Sequence, residues 1–563
     1  MKKMLAMALM ALAAVGACGG NSFPVRWFFI TRAVVSMEDV AFITNVVDRA
    51  ASCGYNGMML AAMDDIDIWP EWRRRRLEIV RRACEAKGVE LVPLVWSIGY
   101  GTMQSRDVNL AEGLGVFDIP YVRRGSKAVF APDAGGDILK GDGGFEATVG
   151  DGPKALPRGW DAWDHVGEVV AMEDEVRHSG RKSVRLSRFD VADGGQARLL
   201  HKPISLRPNS QYAITGWVRA SDDFAPRSAF RVQASQNGSF FTLSSVLPKG
   251  KGEGWVRFAV PVVVQDEAPI QLYVGTWEAK RGTVWVDDVR VEDLGLCGVL
   301  RRPGCPFSVR DAVTGMEYAE GRDYGKVEPV RSVRFSSDRK SLELMVPEGS
   351  RIPDNGRLLV GGYAPVTVKN GIQCSTCMSE PSLYEHFRRS AEGVKAALNP
   401  KTWFLSLDEI RMGGTCVACR ARNTDMAHIL GACVTRQHEI IKSIDSAARI
   451  CVWGDMFNPA QNARDRIYYC RGTFAGSWKL IPHDIVIVDW YGAKYAESLP
   501  FWRREGFSVI AATYYDAPLE SRAARDIAAI AAQPNALGAV YTTWRDDYRN
   551  LERFADLLKS AAK

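Results

Sequence analysis

Clustered basic charge is scarce in the chain, its longest lysine and arginine run being the four residues Arg73-Arg-Arg-Arg76. Its 72 basic and 66 acidic residues leave a formal net charge of +6 spread along the whole sequence, which argues against a nucleic-acid partner, since that needs clustered basic charge. A polytopic membrane protein and a largely disordered chain are both excluded by a composition of 47% hydrophobic and 25% charged residues, ordinary for a globular protein. A single domain is excluded by the length of 563 residues, because cores stop growing well short of that and about 150 residues per domain implies two to four.

The N-terminal apolar run is also too short for a membrane span. Lys2-Lys3 is followed by an uncharged stretch from Met4 to Ala17 that stops at Cys18-Gly19-Gly20, whereas a bilayer-spanning helix needs roughly 20 apolar residues. Residues 1–18 therefore read as an export signal. Val15-Gly16-Ala17-Cys18 resembles a lipobox, in which Cys18 becomes the lipidated mature N-terminus, and plain cleavage nearby is the alternative. Membrane attachment is expected only through that anchor. The expected locations are the periplasm, the outer membrane as a lipoprotein, or the medium.

What the sequence has in quantity is aromatic surface: 16 Trp, 17 Tyr and 22 Phe. Sugar C–H faces and aromatic ligands stack on such rings. Export permits disulfides, and two CxxC pairs occur, Cys374-Ser-Thr-Cys377 and Cys416-Val-Ala-Cys419. Zinc sites place the second pair about 15–20 residues after the first; here roughly 40 intervene. Local disulfides or free thiols fit that spacing better, and no metal site or cofactor is expected from it.

Strand and helix signals alternate from Arg26 to about Tyr100 and again after about Pro381. Three apolar strand runs precede the gap and five follow it, the count of a (β/α)8 barrel interrupted after its third strand. The expected division is a first barrel part at 23–139, an inserted β-sandwich at 140–297, a small β-rich linking domain at 298–370, and the second barrel part at 371–563. Short alternating strands parted by Gly, Pro and Asn indicate the sandwich. Gly143-Gly-Phe-Glu146, His178 to Arg185, and Val284-Trp-Val-Asp-Asp-Val289 resemble the opening, second and closing strands of the jelly-roll modules grouped with carbohydrate-binding families 4 and 9. The resemblance makes Trp160 and Trp277, which lie nearer turns, candidate stacking residues. Trp163 and Tyr273 are further candidates, while strand-interior Trp217 and Trp285 are expected in the core. Asp287 or Asp288 is a candidate calcium ligand, with a turn or capping role as the alternative.

Active sites of such barrels form at the C-terminal ends of the strands. The fourth strand ends in Asp408-Glu409, adjacent carboxyl groups whose burial and mutual repulsion push their pKa values apart, so that one holds its proton while the other is ionised. A structural ion pair of Glu409 with Arg411 is the competing reading. Leu405-Ser-Leu-Asp-Glu-Ile410, then Cys416-Val-Ala-Cys-Arg420, then Val452-Trp-Gly-Asp-Met-Phe457 resemble glycoside hydrolase family 20, the β-N-acetylhexosaminidases. Asp489-Trp490-Tyr491, Tyr514-Tyr515-Asp516 and Trp544-Arg545-Asp546 match at the remaining strand ends.

The resemblance implies substrate-assisted, retaining hydrolysis of glycans ending in N-acetylhexosamine, in which the substrate's acetamido oxygen is the nucleophile. Glu409 would protonate the leaving oxygen and activate water, and Asp408 would orient the acetamido group with Tyr514. Asp516 and Asp546 would accept from sugar hydroxyls, and Asp455 and Tyr491 would join them in binding. Trp453, Trp490 and Trp544 would wall the pocket. Arg32 would grip the 3- and 4-hydroxyls, with Arg26 as its rival. Two departures stand out: Phe404-Leu-Ser-Leu407 replaces a run that in the family carries His or Asn and glycine, and Tyr100 replaces a Gly-His after the third strand. A non-catalytic glycan-binding protein and a glycosidase for another sugar are the rival readings.

Overall fold

The computed structural model describes residues 23–561 except 133–136, 237–238, 246–253, 337–338, 369–370, 466, 515 and 517–521. The export signal and Cys18 lie outside the described residues. None of the described helices is long and apolar enough to cross a membrane.

Eight parallel strands close a barrel in chain order: Val25–Ile30, Gly57–Leu60, Glu90–Val95, Thr402–Leu405, Arg449–Trp453, Val486–Trp490, Val509–Tyr514 and Ala536–Thr542. The first and eighth strands pair from Val25 against Gly538, which removes any open edge. Each strand is apolar on both faces because both are covered. Alternate side chains, among them Trp27, Phe29, Leu94, Phe404 and Trp453, fill the interior, and the others pack against the surrounding helices. Gly57 is required by this packing: a Cβ there would sit 2.3 Å from the indole of Trp27.

The helices start and stop on local signals. Ser36 and Asp39 form a reciprocal capping box at the start of Met37–Ser52. Pro381 opens Pro381–Leu398, and Asn399 closes it at φ 44 in the left-handed region. Asp425 caps Met426–Ile444 by accepting from the His428 amide. The expected regular alternation breaks once: among the described residues the crossover between the fifth and sixth strands carries only short 3-10 turns, Asp455–Phe457 and Ser477–Leu480, and a two-residue strand, Tyr469–Cys470. That irregular crossover supplies much of the candidate site.

The interruption is nested. Two five-stranded antiparallel sheets form the sandwich, one centred on Val284–Gly295 and the other on Ile270–Thr276. A third five-stranded sheet combines Gly113–Arg124 and Lys127–Phe130 with Ser308–Asp311, Leu344–Met345 and Arg357–Pro365. Residues 113–130, assigned from the sequence to the first barrel part, thus belong with the linking domain, because their pairing partner lies beyond the sandwich. Sandwich and linking sheet share a continuous buried cluster that includes Met412 and Tyr469 from the barrel's crossovers. Gln265 of the sandwich donates twice to Tyr469, its backbone amide to the hydroxyl at 2.6 Å and its side-chain Nε2 to the carbonyl at 3.0 Å.

Within the sandwich, Trp160 is only 3% exposed, edge-on to Phe145 and His201. It is a core residue, which corrects its assignment as a stacking platform. Trp277 is half-buried and Trp163 is 66% exposed, with the Arg198 guanidinium 5.8 Å from its ring. Trp217, expected in the core, is half-buried and stacks on His178 at 4.0 Å. Asp287 accepts from the amides of His178 and Ser179 at 2.8 and 3.1 Å, and Asp288 takes the His178 ring and Ser179 hydroxyl at 2.7 and 3.0 Å. These bonds give both carboxylates a turn-bracing role.

Candidate functional site

The fourth, fifth and sixth strands bring Asp408, Glu409, Asp455 and Trp490 together at the C-terminal mouth. Glu409 stands at φ 47, a conformation that costs a non-glycine residue on the order of 1 kcal/mol or more and persists only when its surroundings enforce it. Its amide donates to Asp455 Oδ2 at 3.0 Å, and its carbonyl accepts from Gln373 Nε2 at 3.3 Å. Gly99 lets the third-strand loop pass directly beneath; a Cβ there would lie 2.1 Å from the Asp408 carbonyl oxygen.

The Glu409 carboxylate is held from two sides: Arg411 pairs with Oε1 at 2.8 Å, and the Tyr100 hydroxyl donates to Oε2. The Arg411 guanidinium in turn lies 4.4 Å from the ring of Tyr468. Asp408 is held more loosely, accepting from Ser406 Oγ at 3.2 Å. Burial, then the neighbouring Asp455 and Glu409 carboxyls, push Asp408 up to about 8. Asp455 is fully buried and accepts from Asn462 Nδ2 at 2.8 Å; burial pushes it up to about 6. Of these two groups, burial and the neighbouring carboxyls favour the protonated form more strongly at Asp408.

A second group assembles across the first, seventh and eighth strand ends. Arg32 pairs with Asp546 at 3.2 Å and sits over Phe42 at 4.0 Å. Asp516 accepts from the Trp544 amide at 2.9 Å and from Thr543 Oγ1, bracing the eighth-strand loop. Trp544 is 48% exposed and meets Phe29 edge-on at 5.2 Å. Phe29 also meets Trp453, which packs on Phe404 at 4.7 Å. Trp453, at 4% exposure, is the floor of the mouth and part of the interior core. Tyr491 is 45% exposed at φ 81.

Two candidates fall elsewhere. Tyr514 is 4% exposed, stacked on Tyr541 at 4.6 Å with its hydroxyl accepting from Asn550; it lies in the layer between barrel and helices, so the expectation that it faces a substrate is corrected. Arg26 begins the first strand and donates to the Gly54 carbonyl at 2.7 Å, at the opposite end of the barrel. Tyr100 and Arg411, which the sequence marks only as a departure after the third strand and as a competing ion-pair partner, both hold Glu409. Asn462 and Tyr468 join the site with no signal in the sequence.

A cleft of about 820 Å3 lined by Tyr100, Gln104, Arg106, Val108, Arg331 and Ile372 runs beside the carboxyl cluster. A second, of about 940 Å3, opens along Arg32, Phe42, Asp546 and Arg549.

No protein-family model matches the chain, and no curated protein matches it in sequence. Solved structures match part of it. The Stig cyclase Fisc from Fischerella sp. TAU is 16% identical with a TM-score of 0.23, covering 28% of this chain and 96% of its own. A structure described as "CBM4 structure and function" is 18% identical with a TM-score of 0.19, over 27% of this chain and 97% of its own. TmCBM61 in complex with beta-1,4-galactotriose is 13% identical with a TM-score of 0.20, over 28% of this chain and 98% of its own.

Proposed function

We propose that the chain is a glycoside hydrolase acting on terminal β-N-acetylhexosamine by substrate-assisted catalysis at the barrel mouth. The observation that carries this is the carboxyl cluster at the mouth: the Glu409 amide donates to Asp455 at 3.0 Å, and burial with the neighbouring Asp455 and Glu409 pushes Asp408 up to about 8. Carboxyl groups so placed can divide acid and base roles on one substrate. In the free site the proton rests on Asp408. Docking the N–H of a 2-acetamido group against Asp408 favours its carboxylate and passes the proton to Glu409, which gives it to the leaving oxygen. The acetamido oxygen attacks the anomeric carbon as that bond breaks, and Glu409 then accepts a proton from the water that opens the cyclic intermediate. Trp544 is the exposed ring on which a sugar face stacks, and the sandwich is assigned to glycan binding.

A second reading, a glycan-binding protein without turnover, is favoured by one specific observation: both Glu409 oxygens are already engaged, by Arg411 and Tyr100. Purified protein assayed on aryl β-N-acetylglucosaminide and β-N-acetylgalactosaminide, with binding measured alongside, separates the two. Hydrolysis blocked by a thiazoline analogue of the cyclic intermediate supports the first reading. Binding without release supports the second, and cleavage only of glycosides lacking an acetamido group overturns substrate assistance.

A further inference from the structure

Behind the carboxyl-bearing loop lies a buried sulfur cluster that the site does not use. Cys377 Sγ is 3.6 Å from Cys416 Sγ and 3.7 Å from Cys419 Sγ, and Cys419 Sγ is 3.4 Å from Glu112 Oε2. The four ligand atoms lie within 4.8 Å of one another. Each of these residues is at most 2% exposed. The cysteines are free thiols, and sulfurs 3.6 Å apart are far beyond a disulfide bond of about 2.05 Å. They match another geometry closely: four ligands at a zinc–sulfur distance of about 2.3 Å stand about 3.8 Å apart along the edges of a tetrahedron.

The surroundings are built as an outer shell. Glu112 Oε1 accepts from the amides of Thr415 and Cys416, both at 2.9 Å, and from Thr415 Oγ1 at 2.8 Å. That fixes the carboxylate and leaves Oε2 turned towards the sulfurs. Arg302, its side chain only 4% exposed, places Nη2 3.7 Å from Cys416 Sγ and pairs through Nη1 with Glu380 at 2.8 Å. A buried guanidinium there offsets part of the surplus negative charge of three thiolates and a carboxylate around a divalent ion.

From this geometry we infer that Cys377, Cys416, Cys419 and Glu112 hold a zinc ion. Three thiolates exclude calcium and magnesium, which take oxygen ligands, and suit zinc. The sequence spacing argued against zinc because it assumed that the two CxxC pairs supply all four ligands. The fold instead separates the first pair: Cys374 is buried outside the cluster with its Sγ 3.9 Å from the Ser375 carbonyl, and the fourth ligand comes from Glu112, far upstream. The closed set of four protein ligands marks a structural ion. It ties three segments together: the start of the linking sheet, the turn before Pro381–Leu398, and the end of the loop that carries Asp408 and Glu409.

The full-length protein, purified without chelator and dialysed against metal-free buffer, is analysed for zinc by mass spectrometry. One zinc per chain is expected in the wild type and in Cys374→Ser, with loss in Cys377→Ser and Cys419→Ser. Since those variants can fail to fold, the wild type is also titrated with a mercurial in the presence of a chromogenic chelator. Zinc release in step with modification of buried thiols supports the site. Zinc-free protein from zinc-supplemented medium, or an intact mass lower by two hydrogens, overturns it in favour of a disulfide. Cys305, 1% exposed and in side-chain contact with Cys416, is the internal check: loss of zinc in Cys305→Ser with full retention in Glu112→Gln overturns the carboxylate as fourth ligand.

Discussion

The amide of Glu409 donates to the buried carboxylate of Asp455 at 3.0 Å, joining the ends of the fourth and fifth barrel strands. Because Glu409 is held in the left-handed region, that bond sets where its carboxyl group points. Asp455→Ala leaves the amide without its charged acceptor, a loss worth about 1.5–3 kcal/mol. A fall in kcat/KM of about 10–100-fold is expected, with substrate binding measured by calorimetry changing less. Equal losses in binding and turnover would place Asp455 on the sugar itself.

Asp408 sets a pH dependence. In the free site its proton is held up to about 8, and kcat/KM reports groups of the free enzyme. Activity should fall as pH rises through about 8, and Asp408→Asn should remove that limb. Stability carries the same signature. Folding raises this group from its ordinary 3.8 to about 8, so between those values the folded chain binds a proton the unfolded chain has lost, and stability declines with rising pH across that window. In thermal melts, Asp408→Asn minus wild type should become more positive from pH 4 to pH 8 and then level off.

The two carboxyl groups should separate by leaving group. Glu409→Gln removes the proton donor, a term worth about 10²–10⁴-fold, and poor leaving groups should lose most. Asp408→Asn weakens acetamido attack, so poor and activated aryl leaving groups should lose alike. A Brønsted plot of each variant against leaving-group pKa distinguishes them; parallel plots would refute the division of roles.

Two tryptophans at one mouth should behave oppositely. Trp453, packed between Phe29 and Phe404, should cost about 3–5 kcal/mol of stability when cut to alanine. Trp544, 48% exposed, should leave the melting temperature within about 1 °C and raise KM by about 2–10-fold, as loss of an aromatic contact of 0.5–1.5 kcal/mol implies.

Gln265→Ala removes the side-chain hydrogen bond from Nε2 to the Tyr469 carbonyl and leaves the backbone amide's bond to the Tyr469 hydroxyl in place. At about 1 kcal/mol, melting should drop by about 2 °C or less. An unchanged melt would show that this side-chain bond adds nothing to the contact between sandwich and barrel.

The apolar runs that became barrel strands were readable because each is short, covered on both sides and followed by polar residues, and Asp408-Glu409 stood out at the end of one of them. Pairings over long separations were not readable. Nothing in Gly113–Arg124 points to Arg357–Pro365, its partner across the whole sandwich. Side-chain direction was not read correctly in either of two places. Expecting Trp217 in the core overlooks the alternation: Tyr212, Ile214 and Val218 face the core, which puts Trp217 on the opposite face. Tyr514, by contrast, ends its strand at φ 83, where alternation no longer says which way a side chain turns.

The third and fourth barrel strands pair directly, Leu94 in register with Phe404 and Val95 with Leu405, yet roughly 300 residues, most of them in the nested sheets, lie between them. At about 5–20 residues per second, the ribosome takes on the order of 15–60 s to cross that distance. Throughout that time the three-stranded start of the barrel presents two raw edges, on its first and third strands, and its uncovered apolar faces. Such a precursor has reason to be kept unfolded until its C-terminal half exists.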